Sequence, residues 1–205
     1  MRKILKSGSI IFSLSASLLA LAAGVATGAA FQDASPAPAP AVVRHRNETL
    51  LGGLRPGRDT FAAAEKRFKI RNLSAEPNSG SKEWRDDCSG RVIHLELDAK
   101  SVIQKITLTS LGSQSGKCTD RRPDFLDPQN WLTGLGLRIG DSQDRVYGLY
   151  GEPNSNGPAS KNGQQLALLH YEFDWAGSDV PQVMEVLCAR DTGRVLEITL
   201  ASAGS

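Results

Sequence analysis

From Leu50 onward the chain runs through one order of features twice, and this repetition limits its fold more than any single motif. The first half reads Gly53-Leu54-Arg55-Pro56-Gly57, a helical stretch, then Glu76-Pro77-Asn78-Ser79. The second reads Gly136-Leu137-Arg138-Ile139-Gly140, a helical stretch, then Glu152-Pro153-Asn154-Ser155. Each half closes on a hairpin pattern, with Ile106-Thr107-Leu108 answering Ile198-Thr199-Leu200. Shared order points to a repeated structural unit. Gly57 to Glu76 is 19 residues and Gly140 to Glu152 is 12, so the first copy holds a longer helix or an extra loop.

Period and punctuation assign the elements. In the second half Asp141 is expected to cap a helix, with Asp144 near the positive end of its dipole. Val146, Leu149 and Tyr150 then share one face, Gly151 ends the helix and Pro153 prevents its resumption. In the first half Asp59 or Thr60 caps, and Phe61, Ala64 and Phe68 form the stripe. Leu166 to Trp175 alternates Ala167, Leu169, Tyr171, Phe173 and Trp175 with Leu168, His170, Glu172 and Asp174, the mark of a half-buried antiparallel strand. Val183–Ala189 and Val195–Leu200 follow around a turn at Asp191-Thr192-Gly193. The first half offers a short strand near Trp84–Cys88, then Arg91–Leu97 and Val102–Thr109 around a turn at Asp98–Ser101. Each half is therefore a helix followed by about three antiparallel strands, an α+β fold of two tandem modules. One helix on so small a sheet buries little area, so two copies sharing a sheet or core is the expected solution.

The N-terminus carries an address. Arg2, Lys3 and Lys6 precede an apolar run, Ile10 to Ala23, and small residues at Gly24, Ala26, Gly28, Ala29 and Ala30. That order marks a signal peptide over residues 1–30, cleaved near Ala30. An uncleaved anchor is the alternative, and only then is membrane contact expected. Removing the segment takes three positive charges and no negative one, turning a net +2 into −1. The mature chain thus has no basic excess to suggest nucleic acid. Residues 31–49 form a Pro/Ala-rich linker that alternation keeps extended, and order is expected from about Leu50. The domains are then residues 50–111, a connecting loop at 112–130, and residues 131–205.

The second half, through Gly140, Val146, Leu149, Gly151, Pro153, Tyr171, Trp175 and Gly193, resembles the small outer-membrane lipoproteins of SmpA/OmlA type. It is also similar to the related β-lactamase-inhibitor-protein-like modules. The first half matches through Gly57, Phe68 and Pro77. The resemblance implies a helix layer on an antiparallel sheet and a protein-binding role without catalysis. The chain departs from it in having two copies and no cysteine near the cleavage site to carry lipid.

Catalytic chemistry finds little purchase in these residues. An exported chain can form disulfides, and among Cys88, Cys118 and Cys188 the pair Cys88–Cys118 is preferred, with Cys188 a small buried residue inside a strand. His45 lies in the linker. His94 and His170 fall on the polar sides of strands, where they can approach one another, with Glu96, Glu172 or Asp174 as further ligands. They lack metal-site spacing, so a solvated face is preferred, and neither metal nor cofactor is expected. No nucleophile elbow, His-Glu-x-x-His or phosphate loop is present, and Gly134-Leu135-Gly136 is too short to signal a nucleotide. Asp86 and Asp87 are neighbours in a strand and point to opposite faces. Trp84, Trp131 and Trp175, with Tyr171, offer either an aromatic binding surface or core beneath the helices, and the core is preferred. The loop Gly112–Asn130, with Arg121-Arg122 among acids and Phe125-Leu126, is an interrepeat connector or a partner-binding segment.

The expectation is an exported, non-enzymatic protein-recognition module of the bacterial envelope or extracellular space, with another protein as partner. The alternatives are a secreted hydrolase or metal-dependent enzyme using the polar strand faces, and a structural envelope protein held by its N-terminal segment.

Overall fold

The computed structural model describes residues 46–68, 80–86, 89–111, 128–173 and 182–203. The chain divides into two units, residues 1–41 and 42–205, and the described residues all belong to the second. Its elements are α1 (Phe61–Phe68), β1 (Ser81–Asp86), β2 (Arg91–Leu97), β3 (Ile103–Ser110), a 3-10 turn (Pro128–Trp131), α2 (Gln143–Tyr150), β4 (Ser155–Lys161), β5 (Gln164–Phe173), β6 (Gln182–Ala189) and β7 (Val195–Ser202). The strands form one antiparallel sheet in the order β1-β2-β3-β7-β6-β5-β4. The fold is mainly sheet, with two short helices.

The two hairpin triplets seen in the sequence meet at the middle of this sheet. Ile106 pairs with Leu200, Thr107 with Thr199 and Leu108 with Ile198. The Thr107 and Thr199 hydroxyl oxygens lie 3.1 Å apart. Because the triplets run antiparallel, a local two-fold relation at this threonine pair exchanges β3 with β7, β2 with β6 and β1 with β5. Equivalent details follow it. A register shift falls between Glu96 and Leu97 in one half and between Leu187 and Cys188 in the other. Gly57 donates to Ile103 O at 2.6 Å, and Gly140 to Val195 O at 2.8 Å. Ile103 donates back to Asp59 O, as Val195 does to Asp141 O. Phe61 donates to Ser101 O, as Gln143 does to Gly193 O. Gly57 and Gly140 take φ of 74° and 89°, the left-handed region in which a side chain is strained. Each helix therefore starts against the hairpin turn of its own half.

Alternation places one set of side chains under the helices. Trp84, Ile93, Leu108, Ile198, Val186 and Leu169 form one cross-strand row, and all are buried. Leu95, Ile106, Leu200, Met184 and Tyr171 form the next. From α1, Ala64 and Phe68 are buried with this face, and Phe68 meets the edge of Trp84 at 5.2 Å. From α2, Val146 and Tyr150 do the same, with Tyr150 against Tyr171 at 5.7 Å and Phe173 at 6.1 Å. Leu149 and Phe61 pack at the margin. Trp84 and Trp131 are core residues as expected, and Trp175 lies outside the described residues.

Four local expectations change. The cap of α2 is Ser142, whose hydroxyl accepts from Arg145 N. The Asp141 carboxylate instead accepts from Arg138 N at 2.9 Å, as Asp59 accepts from Arg55 N at 2.8 Å, so these aspartates close the turn before the helix. The second half has four strands, because β4 (Ser155–Lys161) adds to the outer edge of β5. Glu48, placed by sequence in the linker, is 2% exposed and bound into the fold.

Candidate functional site

Two polar constellations stand out, one internal and one on the open side of the sheet. The internal one centres on Glu48. Its Oε1 accepts N–H groups of Thr49, Leu50 and Gly134 at 2.9, 3.0 and 3.0 Å. Its Oε2 accepts Leu135 N–H at 2.9 Å and the Tyr150 hydroxyl at 2.8 Å. Thr133 Oγ1 lies 2.7 Å from the same hydroxyl and accepts Leu137 N–H at 3.0 Å. Burial, then the Glu48 charge, raises the Tyr150 pKa well above the phenol range. A side chain at Gly134 would put Cβ 2.6 Å from Glu48 Oε1, which explains a glycine there. The Gly134-Leu135-Gly136 segment therefore cradles the chain's own carboxylate. This constellation pins the residues preceding the first half to α2, with Glu48 2% and Tyr150 1% exposed.

The open side is built from the residues opposite in alternation to the core rows. Across the local two-fold run Glu83, His94, Thr107, Thr199, Glu185 and His170, one from each strand β1, β2, β3, β7, β6 and β5. The two flanks each carry one Glu and one His, in exchanged positions. His94 Nδ1 is 3.9 Å from Glu83, and His170 lies 3.4 Å from Glu185 and 3.3 Å from Glu172. Beside this row, Lys105 pairs with Glu96 at 2.5 Å, Thr109 donates to Glu197 at 2.7 Å, and Lys161 pairs with Glu197. Lys161 is on β4 and Glu197 on β7, three strand steps or about 14 Å apart in a flat sheet. Their contact requires the sheet to curl toward this face. The curl makes an open groove of about 440 Å³, lined by residues that include Arg85, His94, Lys105, Thr107, Glu185 and Thr199.

The sequence placed His94 and His170 where they could meet, and the sheet separates them. β2 and β5 are four strand steps apart, about 19 Å. The reason is that the halves join through β3 and β7, which puts the histidine strands on the flanks. Each histidine meets a carboxylate locally, and among the described residues no group of three or more His, Cys, Asp or Glu could hold a metal ion. Asp86 is 6% exposed and accepts from Ser89 N and Oγ at 3.1 and 2.5 Å, a turn-closing role. Asp87, Cys88 and Cys118 lie outside the described residues, as do His45, Asp174 and residues 112–127 of the connecting loop. Cys188 is buried and carries a free thiol, and burial pushes its pKa from 9.0 up to about 11, so it is a poor nucleophile. Among the described residues no helix is long and apolar enough to cross a membrane.

No family model and no curated protein matches the chain. Among solved structures it is similar to a DUF4309 family protein (YjgB) from Bacillus subtilis, at 9% sequence identity and a TM-score of 0.43, over 76% of this chain and 88% of that one. A likeness so remote says nothing about activity.

Proposed function

We propose that the protein is an exported, non-enzymatic recognition module whose contact surface is the curled polar face of the sheet. The observation that supports this reading is the contrast between the two faces. One is sealed by helices, and the other is a wide groove with both signs of charge from six of the seven strands, all lining one surface. Small-molecule sites are enclosed and mostly apolar. A broad, shallow, mixed-charge surface suits an extended polypeptide whose charges alternate in sign.

We further propose that the molecule is a duplicated module, each copy a helix packed on its share of the sheet. The matched hydrogen bonds at Gly57 and Gly140 and the matched register shifts support it. The resemblance to SmpA/OmlA-type and β-lactamase-inhibitor-protein-like modules, the signal peptide over 1–30 and a periplasmic or extracellular location belong to the same proposal. Affinity capture from envelope and secreted fractions tests it. A stoichiometric protein partner is the expected result. A blank, with turnover or retained metal in the purified protein, would overturn it in favour of an enzyme.

A further inference from the structure

Two features of the second half have no counterpart among the described residues of the first, and they border one groove. One is β4, which adds to β5. The other is the turn after β6. Ser101 N donates to Asp98 O and Gly193 N to Ala189 O, so two residues separate the partners in the first half and three in the second. Arg190 stands in the longer turn. Its N–H donates to Gln165 O at 3.2 Å, and Gln143 N donates to Gly193 O at 2.8 Å, which holds the turn between the starts of β5 and α2.

Asn156 pairs with Leu169 and Pro158 with Ala167, so alternation puts Asn156 and Pro158 on the helix side of the sheet, away from the curled polar face. α2 buries Val146 and Tyr150 in the core, and Tyr147 beside them is half-buried. Between α2, β4 and Arg190 lies a second open groove, of about 310 Å³. Pro158, Ala167 and Leu169 give it an apolar part, and Gln143, Tyr147, Asn156 and Arg190 a polar part. Gln143 Nε2 donates to the Tyr147 hydroxyl at 3.1 Å, which leaves the Tyr147 O–H to donate elsewhere.

Arg190 is the one charged residue among those lining the groove, and no carboxylate lines it. The neighbouring arginines are engaged: Arg145 pairs with Asp141 at 3.1 Å, and Arg194 donates to Gly140 O at 3.0 Å. Among the described residues no acid or acceptor engages the Arg190 side chain. A single guanidinium matches a single negative charge and holds a carboxylate through two parallel bonds. The Gln143 and Asn156 amides each offer a donor and an acceptor, the complement of a peptide group. The apolar part suits an apolar side chain. These three requirements together describe the last residue of a polypeptide.

We propose that this groove captures the C-terminal residue of a polypeptide partner. Its carboxylate meets Arg190, its peptide group meets Gln143 and Asn156, and its apolar side chain rests against Pro158, Ala167 and Leu169. Capture of a terminal carboxylate is a recurring mode of peptide recognition. The groove lies on the other side of the sheet from the curled polar face, so the two sites are tested separately.

The test is a titration of the isotope-labelled protein, read by amide NMR, with an acetylated tetrapeptide that ends in leucine and a free carboxylate. Saturable shifts are expected at Tyr147, Gly157, Leu168 and Arg190, with a dissociation constant of about 0.1–1 mM, as suits a contact far below standard interface size. The same peptide capped as its C-terminal amide is expected to bind at least about tenfold more weakly, and so is the free-acid peptide on Arg190→Gln. Arg190 is exposed, and the spectrum itself reports whether the variant stays folded. Isocaproate carries the leucine side chain and carboxylate without the peptide group, and is likewise expected to bind at least about tenfold more weakly. Capped and free peptides of equal affinity would overturn the proposal, as would an Arg190→Gln variant that binds like the wild type. Isocaproate binding as tightly as the peptide would make this a small-acid site and overturn it too. So would shifts that fall outside the groove, or none up to about 10 mM peptide.

Discussion

At the residue scale, Glu48 shows how one side chain can hold a segment that composition marks as linker. Five donors converge on a carboxylate that is 2% exposed. Removing it strands the Gly134 and Leu135 N–H groups without their acceptor. Glu48→Ala is therefore expected to cost about 3 kcal/mol, read as a lower urea midpoint. A loss under a few tenths would mean that water or a neighbour replaces the carboxylate at no cost. The cluster was not legible in the sequence, because its partners lie 86 and 87 residues away and a lone Glu in a polar run carries no periodic signal. Cys188 makes a second residue-scale prediction. Its folded pKa is raised from 9.0 to about 11, so below about pH 9 both states keep the proton and stability is undiminished. Between about 9 and 11 the unfolded chain releases it first, binds fewer protons than the folded chain, and stability falls as pH rises. Buried Tyr150 and Tyr171 act in the same direction at higher pH. The urea midpoint should drop through that window, and Cys188→Ala should soften the early part of the drop. A flat profile there would contradict a buried neutral thiol.

At the element scale the seam between β3 and β7 governs cooperativity. The cores of the two halves meet at Ile106, Leu108, Ile198 and Leu200, all fully buried. A defect there belongs to both halves. Leu108→Ala is expected to cost about 2–5 kcal/mol and to leave a single unfolding transition, with circular dichroism and tryptophan fluorescence coincident. Two separated transitions would show that the halves fold apart. Much at this scale was legible. The alternation Leu169, Tyr171, Phe173 marked β5 because one face is apolar at period two, and Val146 and Tyr150 marked the buried stripe of α2. β4 was missed because Ser155–Lys161 is largely exposed and holds Gly157 and Pro158, residues that argue against a central strand and are tolerated only at an edge. The α2 cap was displaced by one residue because Asp141 and Ser142 are both good caps, and the turn at Arg138 claims the aspartate.

At the scale of the whole molecule, the repeated order of features in the sequence led to the expectation of two copies, but local pattern does not encode how the two halves join. The Ile-Thr-Leu triplets read as equivalent hairpin strands. That they pair with each other is a tertiary fact, and it alone decides that the histidine strands sit on opposite flanks. The polar face follows from the same join, since neither half by itself gathers Glu83, Thr107, Thr199 and Glu185 into one groove. Sealing one face and curling the other leaves the threonine pair at the groove's centre, where a bound chain would cross both halves. The most direct measurement is therefore the affinity of the captured partner for the wild type and for Thr107→Arg, a substitution that fills the centre of the groove and leaves the apolar face untouched. The recognition account predicts a dissociation constant raised at least about tenfold, equivalent to ~1.4 kcal/mol, with stability lowered only by the lost cross-strand threonine pair, about 0.2–1 kcal/mol. An affinity equal to that of the wild type would show that the partner binds elsewhere and would contradict it.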